Sequence, residues 1–168
     1  MTYATATEML ERFDANEIAQ RADRGVPRLI TPQLMKDVAA GASLVSYTPD
    51  EQARAAEALA IVERALQDAD DTINGYISAR YTLPLQVVPG VLNRVACELA
   101  RYFLFDDQVT EVIKDRHTAS VKWLAEVAKG MVSLGADAGT GEQAVSSASA
   151  ELETSGRVWR REDSRSFL

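Results

Sequence analysis

Apolar residues recur at helical spacing along most of the first 134 residues. In the clearest series the steps alternate between four and three: Ala55, Leu59, Val62, Leu66, Ala69, Ile73 and Tyr76. This alternation places all of these side chains on one side of an α-helix. Thr48 and Glu51 are spaced as a capping box, and Pro49 occupies the first helical position. Continued to Tyr81, the predicted helix would be about 50 Å long.

Two shorter helices are predicted before the long one. Thr5 and Glu8 are spaced as a capping box that opens the first. The apolar residues of that helix are Met9, Leu10, Phe13 and, if it continues, Ile18. Thr31 and Pro32 provide a cap and a first-turn proline for the second, which is predicted to end at Gly41. Its apolar face consists of Leu34, Met35 and Val38.

Two further helices are predicted after the long one. Pro84 should end the long helix, because proline disfavours a helical conformation in the residue before it. Pro89 should start the next helix, which Asp106 and Asp107 would break. That helix is apolar around much of its circumference, which is typical of a central helix: Val91, Leu92, Val95, Ala96, Cys97, Leu99, Ala100, Phe103 and Leu104. The last helix should reach about Gly130, with these apolar residues in phase: Val109, Ile113, Leu124, Val127 and Met131.

Strand signals are weak. Only residues 82–88 resemble a strand, and Pro84 within them removes a backbone donor. The sequence therefore predicts a mainly α fold: a small helical bundle organised on one long amphipathic helix, with a flexible C-terminal extension. We place the helical domain at residues 1–134, with residues 24–48 as a variable insertion, and a flexible linker with a docking tail at residues 135–168.

The C-terminal extension changes in character along its length. Residues 135–156 are mostly small and polar, as in a flexible linker. Beyond them, apolar residues return among arginines: Arg157, Val158, Trp159, Arg160, Arg161, Arg165, Phe167 and Leu168. Trp and Arg dominate the energetics of protein interfaces. We therefore interpret this tail as a segment that docks on a subunit or a portal and folds on binding, in preference to an idle tail.

The charge distribution separates the tail from the rest of the chain. The net charge is −7, but residues 157–168 hold four arginines against Glu162 and Asp163, a balance of +2 that leaves −9 for the rest. Such an acidic body argues against a protein that wraps nucleic acid, which needs a basic face. No apolar run is long enough to cross a membrane, and residues 1–8 do not resemble a secretory signal. The single cysteine fits a reducing cytosol.

Candidate chemistry is sparse. His117 is the only histidine, so multi-histidine metal sites are excluded, and its place on an apolar stripe favours a packing role. Cys97 lies among apolar neighbours and is predicted to be a small buried residue. Residues 68–75 resemble a calcium loop only superficially, because the sixth position is not glycine. The sequence predicts no enzyme, no cofactor and no metal site.

The linker after the long helix leaves two interpretations open. It carries four apolar residues close together: Leu83, Leu85, Val87 and Val88. They are covered either by their own domain or by a neighbouring subunit. The sequence favours neither.

Two sequence motifs carry a family resemblance. The first runs through Asp70, Ile73, Tyr76 and Ile77 into Arg80-Tyr-Thr-Leu-Pro-Leu85, and the second is Trp123-Leu124 followed by Gly130-Met-Val-Ser-Leu-Gly135. With these motifs the chain resembles the Mu-like tailed-phage head–tail connector family over about two thirds of its length. The segment at residues 24–47 is longer than this family's pattern suggests. The geometry of the N-terminal region is therefore not predicted by the resemblance.

The resemblance implies a helical adaptor that acts in the virion neck after assembly in the host cytoplasm. Members form a ring, commonly twelvefold, beneath the portal protein, and they join the head to a tail-side neck or tail terminator protein. DNA would pass through the lumen without specific binding. The resemblance supplies no catalytic residue. It implies that Trp123 and Leu124 belong to the core, and that five residues mark the end of the long helix and its linker: Arg80, Tyr81, Leu83, Pro84 and Leu85.

A different class of function is carried as the alternative. The arginines between Arg157 and Arg165 could serve a small helical regulatory or nucleic-acid-binding module. Four arginines are few for that purpose, and the rest of the chain offers them no basic scaffold. Salt-dependent binding to duplex DNA would identify such a module.

Overall fold

The computed structural model of the protein describes residues 2–135, which fold into a bundle of helices. In this range six α-helices follow one another, with a 3₁₀ turn at Asp106–Gln108. Their bounds are α1 Ala6–Arg12, α2 Ala15–Ala22, α3 Pro32–Ala39, α4 Pro49–Ile77, α5 Gly90–Phe105 and α6 Glu111–Ala128. The predicted mainly α class is confirmed.

Helix α4 has the predicted cap and a shorter extent than predicted. The Thr48 hydroxyl accepts a hydrogen bond from the Glu51 N–H at 3.3 Å, and the Glu51 carboxylate accepts one from the Thr48 N–H at 2.8 Å. The helix ends at Ile77 rather than Tyr81, because the N–H groups of Arg80 and Tyr81 both donate to the Ile77 carbonyl and close a turn. Its 29 residues span about 44 Å.

The N-terminal region forms two helices instead of one continuous helix through Ile18. Helix α1 ends at Arg12, and Phe13 is extended with φ −118°. The Asp14 carboxylate then accepts a hydrogen bond from the Asn16 N–H at 3.0 Å and so caps α2. An aspartate cap favours a fresh helix start over continuation. Ile18 is buried as expected, although on a separate helix.

The segment predicted to be a variable insertion contributes helix α3 to the packed bundle. Its helix α3 is capped by Thr31 as predicted, and Gly41 has φ +65° at the end. Leu34 and Met35 are fully buried, and α3 packs against α1, α2 and α4. Whether this segment varies among relatives stays a prediction.

Helix α5 is the central helix, as its wide apolar face predicts. It packs along α4 and also contacts α1, α2 and α6. Its buried side chains include Leu92, Val95, Ala96, Cys97, Leu99, Ala100 and Leu104. After Phe105 the chain turns at Asp106, whose φ is +47°, so the predicted break is confirmed.

Helix α6 ends near the predicted glycine, but Met131 is not on its apolar face. Gly130 has φ +79°, and the N–H groups of Gly130 and Met131 donate to the carbonyls of Val127 and Glu126. This hydrogen-bond pattern is the Schellman motif, in which the chain leaves the helical phase at the glycine. Met131 is therefore 75% exposed, and Leu134 is buried in its place.

Candidate functional site

The motif at residues 80–85 forms a junction between the ends of α4 and α6. Tyr81 is only 3% exposed, and its phenolic oxygen accepts a hydrogen bond from the Leu134 N–H at 3.0 Å. The Arg80 guanidinium lies 5.9 Å from the centre of the Tyr81 ring. Gly130 has φ +79°, which favours glycine, and an added Cβ would lie 3.0 Å from an Arg80 nitrogen, so the Arg80 side chain would have to shift slightly. The motif residues thus connect two helix ends.

The structure shows which apolar residues of the linker are covered by their own domain. Leu85 is buried in the core, and Leu83 and Val88 are partly buried against it. Pro84 is exposed and follows a cis peptide bond. Val87 differs from the other apolar residues because it is 62% exposed. The domain therefore covers three of the four apolar linker residues, Leu83, Leu85 and Val88, and leaves Val87 exposed.

We expect Tyr81→Phe to lower the free energy of unfolding by about 1–3 kcal/mol. The ring would still fill its buried site, but the Leu134 N–H would lose its acceptor. Chemical denaturation of the full chain measures the change. Tyr47→Phe is the matched control, because Tyr47 is partly exposed and its hydroxyl donates to Asp37 at 2.7 Å, where water can replace the partner. Equal stability of Tyr81→Phe and the unmodified protein would contradict the assigned role.

The residues before α1 are clamped between α4 and α5. The Tyr3 N–H donates to Asp70 at 3.1 Å, and the Tyr3 hydroxyl donates to Asn74 at 2.6 Å. The Asn93 side chain donates to the Tyr3 carbonyl at 3.2 Å. Burial raises the pKa of Asp70 above its ordinary value, and burial together with the Asp70 carboxylate raises the pKa of Tyr3 to about 12.

Sequence reasoning missed Asp70 as a structural residue. Its carboxylate is 1% exposed and lies on the buried side of α4. The signal was present, because position 70 follows Leu66 by four residues and precedes Ile73 by three. A charged residue in phase with an apolar stripe indicates a buried partner.

A second buried carboxylate organises the loop after α2. Asp23 is 3% exposed and accepts hydrogen bonds from the N–H groups of Gly25 at 3.1 Å, Leu29 at 2.7 Å and Ile30 at 3.1 Å. Arg54 on α4 lies 3.8 Å from the same carboxylate. Burial pushes the pKa of Asp23 upward, but these hydrogen bonds and the Arg54 charge outweigh it, so the pKa lies below its ordinary value. We call residues 24–28, which this carboxylate holds, the arginine loop.

His117 and Cys97 are packing residues, as predicted. The imidazole of His117 stacks on the Tyr102 ring with 3.8 Å between centroids, and partial burial lowers its pKa. Cys97 is fully buried, and burial raises its pKa to about 11, so a thiolate does not form near neutral pH. Residues 68–75 lie inside α4 and do not form a loop.

Within residues 2–135, no group of three or more His, Cys, Asp or Glu side chains is arranged to hold a metal ion. None of the helices in this range is both long enough and apolar enough to span a membrane. Leu124 is fully buried and Trp123 is partly buried against the core, close to what the resemblance implies. The predicted docking residues lie outside the described range, and their role stays a prediction: Arg157, Val158, Trp159, Arg160, Arg161, Arg165, Phe167 and Leu168.

Comparison with known proteins identifies relatives in Mu-like phages. The chain is 39% identical over 107 residues to the Mu-like prophage FluMu protein gp36 of Haemophilus influenzae, which covers 64% of this chain and 75% of that protein. It is 41% identical over 81 residues to gene product J of Escherichia phage Mu, which covers 48% of this chain and 57% of that protein. The sequence model of the family described as Bacteriophage Mu, Gp36 matches residues 3–153. This match spans most of the chain, and the protein therefore belongs to the Bacteriophage Mu Gp36 family.

Proposed function

We propose that this protein is a structural head–tail connector of a tailed phage or prophage. Copies of the chain form a ring beneath the portal and join the DNA-filled head to the tail. The observation that carries the proposal is the junction at residues 80–85. The motif by which the chain resembles head–tail connectors serves as a fixed link between α4 and α6, a structural role with no reactive group.

The charge of the chain supports a ring that DNA passes through. The protein carries a net charge of −7. An acidic wall repels phosphates, so DNA would move along the lumen without being held. A protein that grips DNA would need the opposite sign.

A ring also requires two different contact surfaces on each subunit, because its contacts are head-to-tail. Contact with the portal needs a further surface. We assign that contact to residues 157–168, where Trp159 and Phe167 accompany four arginines. The 21 residues between Gly135 and this tail could span up to about 70 Å when extended. The tail could therefore contact a partner well away from the bundle.

Complementation of a phage that lacks the gene tests the proposal. Loss of the gene should give filled heads and separate tails in electron micrographs, and the full chain should restore joined particles. A chain shortened to residues 1–156 should fold, as judged by circular dichroism, but should fail to restore joining. Deletion of residues 140–151 removes the same number of residues from the linker and is the matched control.

Joined particles in the absence of the gene would refute the connector role. Normal joining by the shortened chain would refute the role of the tail alone. Salt-dependent binding of the full chain to duplex DNA, lost on removal of residues 157–168, would favour the nucleic-acid-binding alternative.

A further inference from the structure

We propose that the arginine loop at residues 24–28 docks on the exposed acidic side of α4 in a second copy of this chain. The inference rests on the proposed function for the existence of an oligomer. Beyond the proposed function, the inference identifies the two surfaces that meet in the oligomer and the charged residues that pair between them. We call the acceptor surface the α4 acidic face and define it by Glu63, Asp68 and Asp71.

The arginine loop is fixed near its start and just after its end. The buried Asp23 carboxylate accepts three backbone N–H groups of the loop and its C-terminal flank, at 2.7 to 3.1 Å. The Arg54 side chain occupies the space beside Gly25, where an added Cβ would lie 1.3 Å from a guanidinium nitrogen. A pre-organised loop loses little conformational entropy on binding. This feature distinguishes it from an ordinary surface loop.

The tip of the loop combines positive charge with exposed apolar surface. Val26 is 95% exposed, the adjacent Pro27 is exposed, and Arg24 and Arg28 flank them. Arg24 and Arg28 also line a cleft of about 260 Å³ together with Arg21, whose guanidinium lies 4.7 Å from the centre of the Phe105 ring. Three arginines therefore gather at one place in a protein of net charge −7.

The α4 acidic face has the complementary charge. Glu63, Asp68 and Asp71 are exposed on the C-terminal half of α4, and Arg64 is the basic residue among them. The Gln67 side chain donates to Asp71 at 3.0 Å. Ala60, one turn before Arg64, is exposed and gives the small apolar surface that Val26 would need. All three carboxylates lie on the C-terminal side of Ala60, about 5 to 17 Å along the helix axis, so the arginines would meet them beside the contact between Val26 and Ala60.

The two surfaces cannot meet within one chain. Arg54, which contacts the Asp23 carboxylate beside the arginine loop, lies along the helix axis about 14 Å from Glu63, about 21 Å from Asp68 and about 25 Å from Asp71. This separation exceeds the length of an arginine side chain. A contact between two different surfaces allows each copy to bind the next one head to tail, and such heterologous contacts generate rings when the rotation closes.

A second copy fits the observations better than a nucleic acid. The apolar tip, Val26 and Pro27, has no counterpart on a phosphate backbone but has one on a helix face. The proposal therefore commits to protein–protein contact.

Charge exchange in the full chain tests the proposal. One variant carries Arg24→Glu with Arg28→Glu, a second carries Asp68→Lys with Asp71→Lys, and a third combines all four. Native mass spectrometry and sedimentation velocity, at low and high salt, measure the oligomers. We expect each double variant to weaken self-association at least tenfold and the combined variant to recover it, because the reversed charges attract again.

Matched controls separate the specific contact from net charge. Arg116→Glu with Lys122→Glu reverses two exposed basic residues on α6, and Glu11→Lys with Asp115→Lys reverses two exposed acidic residues elsewhere. These controls should associate as the unmodified protein does. Circular dichroism of every variant checks that the fold is retained.

Oligomers of unchanged strength in both double variants would overturn the proposal, although the connector function would still stand. A full chain that stays monomeric at high concentration and low salt would also overturn it. Binding of duplex DNA that Arg24→Glu with Arg28→Glu abolishes would overturn it in favour of a nucleic-acid surface. Head–tail joining is measured separately by complementation, so failure of the proposed function is recognised independently of these results.

Discussion

Replacing Leu99 with alanine should lower the free energy of unfolding by about 3–5 kcal/mol. Leu99 is 0% exposed and lies in the middle of α5, the helix that contacts α1, α2, α4 and α6. Removing its branched end leaves a cavity in the core that the surrounding side chains fill only in part. Single domains are stable by about 5–15 kcal/mol. The variant should therefore lose a large share of its stability.

Urea denaturation of the full chain followed by circular dichroism measures this loss. Val112→Ala is the matched control, because Val112 is an aliphatic residue on α6 that is 61% exposed. It should change the free energy of unfolding by less than about 0.5 kcal/mol. A Leu99→Ala variant within about 1 kcal/mol of the unmodified protein would show that α5 is not the centre of the core.

Replacing Asp23 with alanine should cost about 3 kcal/mol of stability. Three backbone N–H groups would lose their acceptor, and Arg54 would lose a carboxylate at 3.8 Å. Asp23→Asn keeps one carbonyl acceptor without the charge and should cost less. Thermal and urea denaturation of both variants measure the difference. An alanine variant as stable as the asparagine variant would contradict the hydrogen-bonding role.

The Asp23 carboxylate should also make the free energy of unfolding depend on pH, with stability lost on acidification. The folded-state pKa of Asp23 lies below its ordinary value of 3.8, because its hydrogen bonds and Arg54 favour the charged form despite burial. Its contribution to stability is therefore complete above pH 3.8 and is lost as the pH falls through the folded-state pKa. The stability difference between the unmodified protein and Asp23→Asn should shrink below about pH 4.

The unmodified protein must be compared with Asp23→Asn at each pH, because protonation of Asp70 changes the free energy of unfolding in the opposite direction. Burial raises the folded-state pKa of Asp70, so acidification through that pKa relieves the cost of a buried charge. Both proteins retain Asp70, and its contribution cancels in the difference. A difference that stays constant from neutral pH to about pH 3 would refute the assignment to Asp23.

The helices were predictable because the signals that start and stop them are local. The capping box of α4 lies within four consecutive residues, and the glycine at the end of α3 directly follows its C-cap. The stripe from Ala55 to Ile73 was also readable, since helical periodicity is a property of the sequence alone. Where the prediction was wrong, a local residue that starts or ends a helix had been overlooked. Asp14 starts a new helix, and Gly130 takes Met131 out of phase.

The contacts between distant residues were not predictable. Tyr81 and Leu134 are 53 residues apart, and Tyr3 and Asp70 are 67 apart, yet both pairs are joined by buried hydrogen bonds. The contact between Asp23, at the start of its loop, and Arg54 on α4 likewise joins residues that are far apart in the sequence. Sequence spacing constrains neither pair, because packing of whole helices sets which side chains meet.

Taken alone, the amino-acid sequence settled the helical class, the starts of α1, α3, α4 and α5, and the resemblance to phage connectors, since each depends on short-range patterns. The packed bundle settled other matters: Leu83, Leu85 and Val88 of the linker are covered by their own domain, Asp23 holds an arginine loop in place, and the motif at residues 80–85 joins two helix ends. These depend on burial and on partners far apart in the chain. A carboxylate such as Asp23 acquires its role only when folding removes it from water and brings Arg54 beside it.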